Sequence, residues 1–116
     1  MIQALKTYRG ETPFGRRDVS VHLPTGRFYP LNPRSDLVNH SPDGFNWGYG
    51  GSGPAQLSLA LLADAYGDKD VALRLYQQFK WVVVARLPQE RGWRLSQEEI
   101  FRAVDKIEKR QARERA

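Results

Sequence analysis

The chain has 116 residues, a formal net charge of +5, 41% apolar and 27% charged residues, and no cysteine. Those values suit one soluble globular domain around a single core. They exclude disulfides, thiolate zinc sites and cysteine nucleophiles, and no apolar run approaches the roughly 20 residues a membrane helix needs.

The start, Met-Ile-Gln-Ala-Leu-Lys, lacks the charged and apolar regions of a signal peptide. A cytoplasmic protein is the expectation. The positive charge is uneven: residues 101–116 carry six basic and three acidic side chains, while residues 51–100 carry six of each. A basic end attracts nucleic acid or acidic partners, and it also simply solubilises a helix end.

Tyr8-Arg9-Gly10 reads as a short strand, and Thr12 to Arg17 as a loop. Val19-Ser20-Val21-His22-Leu23 alternates apolar and polar, the period of a half-buried strand. Pro24-Thr25-Gly26 supplies a turn, and Arg27 to Leu31 returns as the partner. Residues 19–31 are therefore expected to form a hairpin, with Pro30 and Pro33 confining its second strand to an edge. Residues 32–47 show no periodicity and predict a long ordered loop.

The first helix is expected from Pro54, with Ser52 or Gly53 as its N-cap and Gly67 as its stop. From Ala55 to Ala65 its only polar residues are Gln56, Ser58 and Asp64, so it belongs at the centre of the core. Asp68 caps a second helix with Ala72, Leu75, Tyr76, Phe79 and Val83 on one face. Residues 80–87 hold three consecutive valines, which favour strand, but no breaker precedes Pro88, so helix is expected to continue. Trp93-Arg94-Leu95 suggests a short extended segment. Ser96-Gln97-Glu98-Glu99 is a capping box, opening a third helix with Ile100, Phe101, Val104 and Ile107 as its apolar stripe. Beyond Ile107 the stripe stops, and the basic end is expected to fray.

Gly48-Tyr49-Gly50-Gly51-Ser52-Gly53 fits G-x-G-x-x-G directly before a helix. Such glycines let backbone N–H groups approach a phosphate at the positive end of the helix. A dinucleotide fold also needs a strand–helix–strand unit, which is missing here because helix follows helix. Pro54 stands where a Walker loop needs lysine and where a nucleophile elbow around Ser52 needs glycine. The competing reading is a tight turn packed against Trp47 and the central helix.

His40 lies in the loop between Asn39 and Ser41, where it suits either acid–base chemistry or holding the loop through backbone carbonyls. His22 falls on the polar face of a strand. Two histidines, no cysteine and scattered carboxylates make a poor metal set, so no metal and no cofactor are expected. The helix–Gly67–helix spacing invites a helix-turn-helix comparison, but Asp64, Asp68 and Asp70 at the turn would repel phosphates. Trp47, Trp81 and Trp93 read as core or hinge packing, with base stacking near the glycines as the second reading.

The run from Asn39 to Leu62, NHSPDGFNWGYGGSGPAQLSLALL, resembles the signature of an uncharacterised bacterial family, a domain of unknown function also found in phages and plasmids. The resemblance continues through Ala72–Lys80, Val83–Pro88, Trp93–Leu95 and Glu99-Ile100, and covers most of residues 8–101. It brings no activity, cofactor or catalytic residue. Occurrence on mobile elements implies a small accessory protein or an inhibitor of a host system.

The resulting expectation is an α+β fold: an N-terminal β-hairpin packed on a three-helix core with a central buried helix at 54–66. Residues 1–107 form one domain, and 108–116 a basic tail. The first functional reading is a non-enzymatic binding module whose loop 39–53 presents Asn39, His40, Ser41, Trp47, Tyr49, Gly50, Gly51 and Ser52 to a phosphate-bearing ligand, nucleic acid or protein partner. A second has the basic tail bind nucleic acid or protein. A third is a small hydrolase-type enzyme with His40 as acid or base. A homodimer is open, and no membrane association is expected.

Overall fold

Apolar residues at alternate positions build an antiparallel sheet from four short strands. The structure, a computed structural model, describes residues 5–115. The strands are β1 (Thr7–Glu11), β2 (Asp18–His22), β3 (Phe28–Pro30) and β4 (Trp93–Ser96), in the order β3-β2-β1-β4. The expected hairpin is present as β2 and β3, with Val21 opposite Tyr29. Its turn is closed by the Leu23 N–H donating to the Arg27 carbonyl at 2.8 Å. Pro30 ends the edge strand, where its missing donor costs no ladder bond.

The hairpin is half of a larger sheet, which enlarges the expected architecture. β1 runs between β2 and β4, pairing Tyr8 with both Val21 and Leu95. Gln97 locks the far pairing: its N–H donates to the Lys6 carbonyl at 2.9 Å, and its Oε1 accepts the Lys6 N–H at 3.0 Å. Tyr8, Val19, Val21, Trp93 and Leu95 point to the core. Thr7, Arg9, Ser20, His22, Phe28 and Arg94 alternate with them on the outer face.

Three helices lie in chain order: α1 (Ser52–Tyr66), α2 (Lys69–Val82) and α3 (Gln97–Arg115). α1 is enclosed around its circumference; Leu57, Leu59, Leu61 and Leu62 are all 0% exposed. It starts two residues earlier than expected, with Gly51 as N-cap and the Gly51 carbonyl accepting the Ala55 N–H at 3.1 Å. Pro54 is thus the third helical residue. Its missing N–H is harmless there, because no N–H of the first turn has an intrahelical acceptor.

Gly67 ends α1 in the left-handed conformation, φ 62°, and its N–H reaches the Ala63 carbonyl at 2.9 Å. The Asp68 carboxylate then accepts the Asp70 and Val71 N–H groups and starts α2 antiparallel to α1. Helix continues past Lys80 as expected, to Val82, and tightens to a single 3₁₀ turn at Val84–Arg86. The capping box is formed: the Glu99 N–H donates to Ser96 Oγ and the Ser96 N–H to Glu99 Oε1, each at 3.0 Å. α3 is helical through to Arg115. Past Ile107 it carries the exposed ion pairs Lys109–Asp105 and Arg110–Glu114, and Glu108 pairs with Arg74 of α2 at 3.5 Å.

The three polar residues of the buried helix each serve as a tie. Ser58 Oγ donates to the Tyr76 carbonyl at 2.6 Å and joins α1 to α2. Asp64 faces the sheet and accepts from Tyr8 Oη at 2.7 Å, Tyr29 Oη at 2.9 Å and Lys6 Nζ at 3.1 Å. Burial, then the hydrogen bond to Asp64, pushes both phenols above their ordinary range. Burial opposes the Lys6 charge, but Asp64 outweighs it and holds the ammonium above its usual value.

These three groups keep protons in the fold that the unfolded chain releases near pH 10. Their contribution is therefore complete below about pH 10 and falls as pH rises beyond it. Tyr8→Phe should lower stability by about 1–2 kcal/mol at neutral pH, because Asp64 loses its shortest donor. Urea unfolding across pH 7–11 should show a shallower alkaline decline in that variant than in the wild type.

Candidate functional site

The glycine-rich turn lies where the long loop meets α1, and the structure divides its expected residues into two groups. The first is Asn39, His40 and Ser41. Asn39 is exposed, and His40 and Ser41 are half-buried. The backbone of His40 and Ser41 is held by Gln56, which is 0% exposed. Gln56 Oε1 accepts the N–H of His40 at 2.7 Å and of Ser41 at 3.2 Å. Its Nε2 donates to the carbonyls of Pro33 at 2.6 Å and Val38 at 3.0 Å. Both donors and both acceptor positions of the amide are used, so one buried side chain replaces the backbone ladder that the loop lacks.

The His40 imidazole is committed as well. Its Nε2 and the Tyr76 hydroxyl are hydrogen-bonded at 2.7 Å, which ties the loop to α2. These bonds tie the loop at His40 to both helices, with the imidazole on a side-chain hydroxyl and not on the backbone carbonyls expected for it.

The second group is Tyr49, Gly50, Gly51 and Ser52. Gly50 lies against the outer edge of the Trp81 ring, and Gly51 against the edge of the Tyr49 ring. A Cβ at either position would run into that ring. Both rings stay open to solvent: Trp81 is 58% exposed and Tyr49 40%, with Val82 beside Trp81 in sequence and 40% exposed. The glycines therefore let the rings lie close against the backbone. Lys80 Nζ lies 4.6 Å from the Trp81 ring centroid, with most of its stem buried. Ser52 is exposed, and the N–H groups of Ser52 and Gly53 find no acceptor among the described residues.

Trp47 belongs to neither group. It is 0% exposed, donates from Nε1 to the Arg91 carbonyl at 3.1 Å, and meets Trp93 edge-on at 5.6 Å. The Arg17 guanidinium covers its ring at 4.7 Å. It anchors the turn from below and has no surface to offer a ligand, which corrects its place among the expected contact residues. Trp81 departs from the opposite expectation, that of packing, and stands on the surface.

Sequence reasoning missed Gln56, Tyr76 and Trp81 as parts of this region. Gln56 carried a usable signal, since a long amide inside an apolar helix must find partners. Trp81 carried none. Its exposure depends on where α2 ends against the turn. Among the described residues, no group of three His, Asp or Glu side chains could hold a metal ion, and no helix is long and apolar enough to cross a membrane.

Gln56→Leu should strip four backbone groups of their partners and lower stability by about 3 kcal/mol or more, read from the urea midpoint. Gly50→Ala should cost less than about 1 kcal/mol, because an exposed ring can swing away. It should still shift the emission of Trp81, the most exposed of the three tryptophans.

The sequence profile described as Family of unknown function (DUF6166) matches residues 8–106. No curated protein and no solved structure matches the chain. The matched span runs from β1 into α3 and takes in the sheet, the glycine-rich turn and the central helix, so the chain belongs to this family of unknown function.

Proposed function

We propose that this chain is a non-enzymatic binding module that holds an acidic, partly apolar partner segment against the turn Tyr49–Ser52 and the adjoining Trp81. The observation that carries this reading is the pair of solvent-open rings set against Gly50 and Gly51. Tyr and Trp present large apolar area with only two side-chain torsions to fix when a partner covers them, which is one reason they dominate binding hot spots.

The preference for an acidic partner follows from the helix end. The N-terminus of α1 bears the positive end of the helix dipole, and no side chain caps it. Its first-turn N–H groups adjoin the two rings. An apolar residue against Trp81 and Val82, with a carboxylate reaching Ser52, would satisfy both parts of the surface. His40 and Ser41 contribute through the bonds that fix the neighbouring loop to Gln56 and Tyr76, Asn39 is exposed beside them, and Trp47 supports the turn from inside.

A random-peptide display selection on the immobilised chain, counter-screened on Trp81→Ser, tests this reading. Selected peptides should carry an acid beside an apolar residue and lose about tenfold or more in affinity on Trp81→Ser. Peptides that bind wild type and variant equally would remove the turn as the binding surface.

A further inference from the structure

The outer face of the sheet carries a second set of residues that packing does not explain. Arg9 and Arg94 are register partners across β1 and β4. Like charges set directly opposite each other weaken a sheet. Neither arginine forms an ion pair among the described residues, and Arg9 Nε is buried without a hydrogen-bond partner. The carboxylates on this face, Glu11 and Asp18, sit opposite each other at the far end of β1 and β2, and Asp18 is paired with Arg16 at 3.3 Å.

Beside the arginine pair stands an aromatic step. His22 and Phe28 are register partners on β2 and β3, stacked with centroids 5.2 Å apart and planes 16° from parallel. Phe28 is 68% exposed. Ser20 Oγ is bonded to His22 Nε2 at 2.8 Å and fixes the imidazole. Burial, and after it the charge of Arg9, hold that imidazole below its ordinary pKa against the opposing charge of Glu11, which favours a neutral stacking ring. Past Phe28 the surface drops into a hollow of 540 Å³ bordered by Ser20, Phe28, Pro30, Arg17 and the turn Asp43–Phe45. Arg17 Nη1 is also buried without a partner. Asp18 and Asp43 border the same hollow, so it suits the donor edge of a base better than a phosphate.

We propose that this sheet face binds single-stranded nucleic acid, with a base stacked on the His22–Phe28 step and the backbone phosphates on Arg9 and Arg94. Charge complementarity selects a polyanion, and the open aromatic face selects one with bases. A duplex keeps its bases stacked inside and cannot use Phe28. The surface is separate from the glycine-rich turn, so this inference stands or falls independently of the proposed peptide site.

Fluorescence anisotropy with labelled oligo-U and oligo-dU of about 12 nucleotides, and a duplex of equal length, tests it. Both strands should bind more tightly than the duplex; a preference for oligo-U would place the 2′-hydroxyl in the contact and RNA as the source. Phe28→Ala should weaken binding by about fivefold or more without changing the salt dependence. Arg94→Gln should weaken it and lower the log–log salt slope by about one. Both residues are exposed, and circular dichroism should show both variants folded.

No binding at about 50 mM salt would overturn the proposal. So would equal affinity for the duplex, tighter binding of a phosphoserine peptide than of either oligonucleotide, or affinity unaltered by both variants. Affinity lost only when Lys109, Arg110, Arg113 and Arg115 are changed to Gln would place binding on the α3 end and overturn it as well.

Discussion

Burying α1 is the constraint on which the rest of the structure depends. A helix enclosed on all sides contributes a large apolar area, but it can carry polar side chains only if each one is satisfied. α1 carries three inside that enclosure, and each is bonded to a different part of the chain. Ser58 takes a carbonyl of α2, Asp64 takes two strands of the sheet, and Gln56 takes the loop. An apolar isostere at any of these sites would still favour burial, but would not select which segment lies where. The polar residues specify the arrangement, and the leucines supply its driving force.

The exposed features follow from that core. Trp47 is enclosed beneath the turn and the Gly48 N–H donates to the Val84 carbonyl at 3.1 Å, so the backbone at Gly50 and Gly51 is tied to the end of α2 that carries Trp81. Because the helices and the sheet's inner face share one core, the outer face has no covering element among the described residues. Its charged and aromatic residues are therefore set by neighbours within the sheet alone. Two surfaces of different character result: one aromatic at a helix N-terminus, the other cationic and aromatic on pleated strands.

Much of this was legible in the sequence where the signals are local. The turn at Pro24–Gly26, the Gly67 stop, the Asp68 cap and the Ser96–Glu99 box each depend on neighbours within a few residues, and each is formed. The enclosed helix was legible because its apolar run left no polar face. The four-stranded sheet was not. β1 and β4 are joined by contacts such as Lys6 to Gln97, 91 positions apart, and nothing local at either end announces the other. The loop was legible only as a region without periodicity, since its order comes from a side chain outside it. Trp47 packs in the core as its first reading expects, while Trp81 stands on the surface, because burial of an aromatic is decided by which elements close over it. The glycine pattern was visible, but its ring-contacting role depends on Trp81, far along the chain.

The most direct measurement of the account is amide hydrogen exchange at His40 and Ser41, followed residue by residue by NMR. These residues lie outside every helix and strand, yet both N–H groups donate to the buried Gln56 amide. Protection approaching that of the α1 core, released together with global unfolding, is expected. Exchange at the rate of an open loop would show that Gln56 does not hold this segment, and the tie between the central helix and the loop would be wrong.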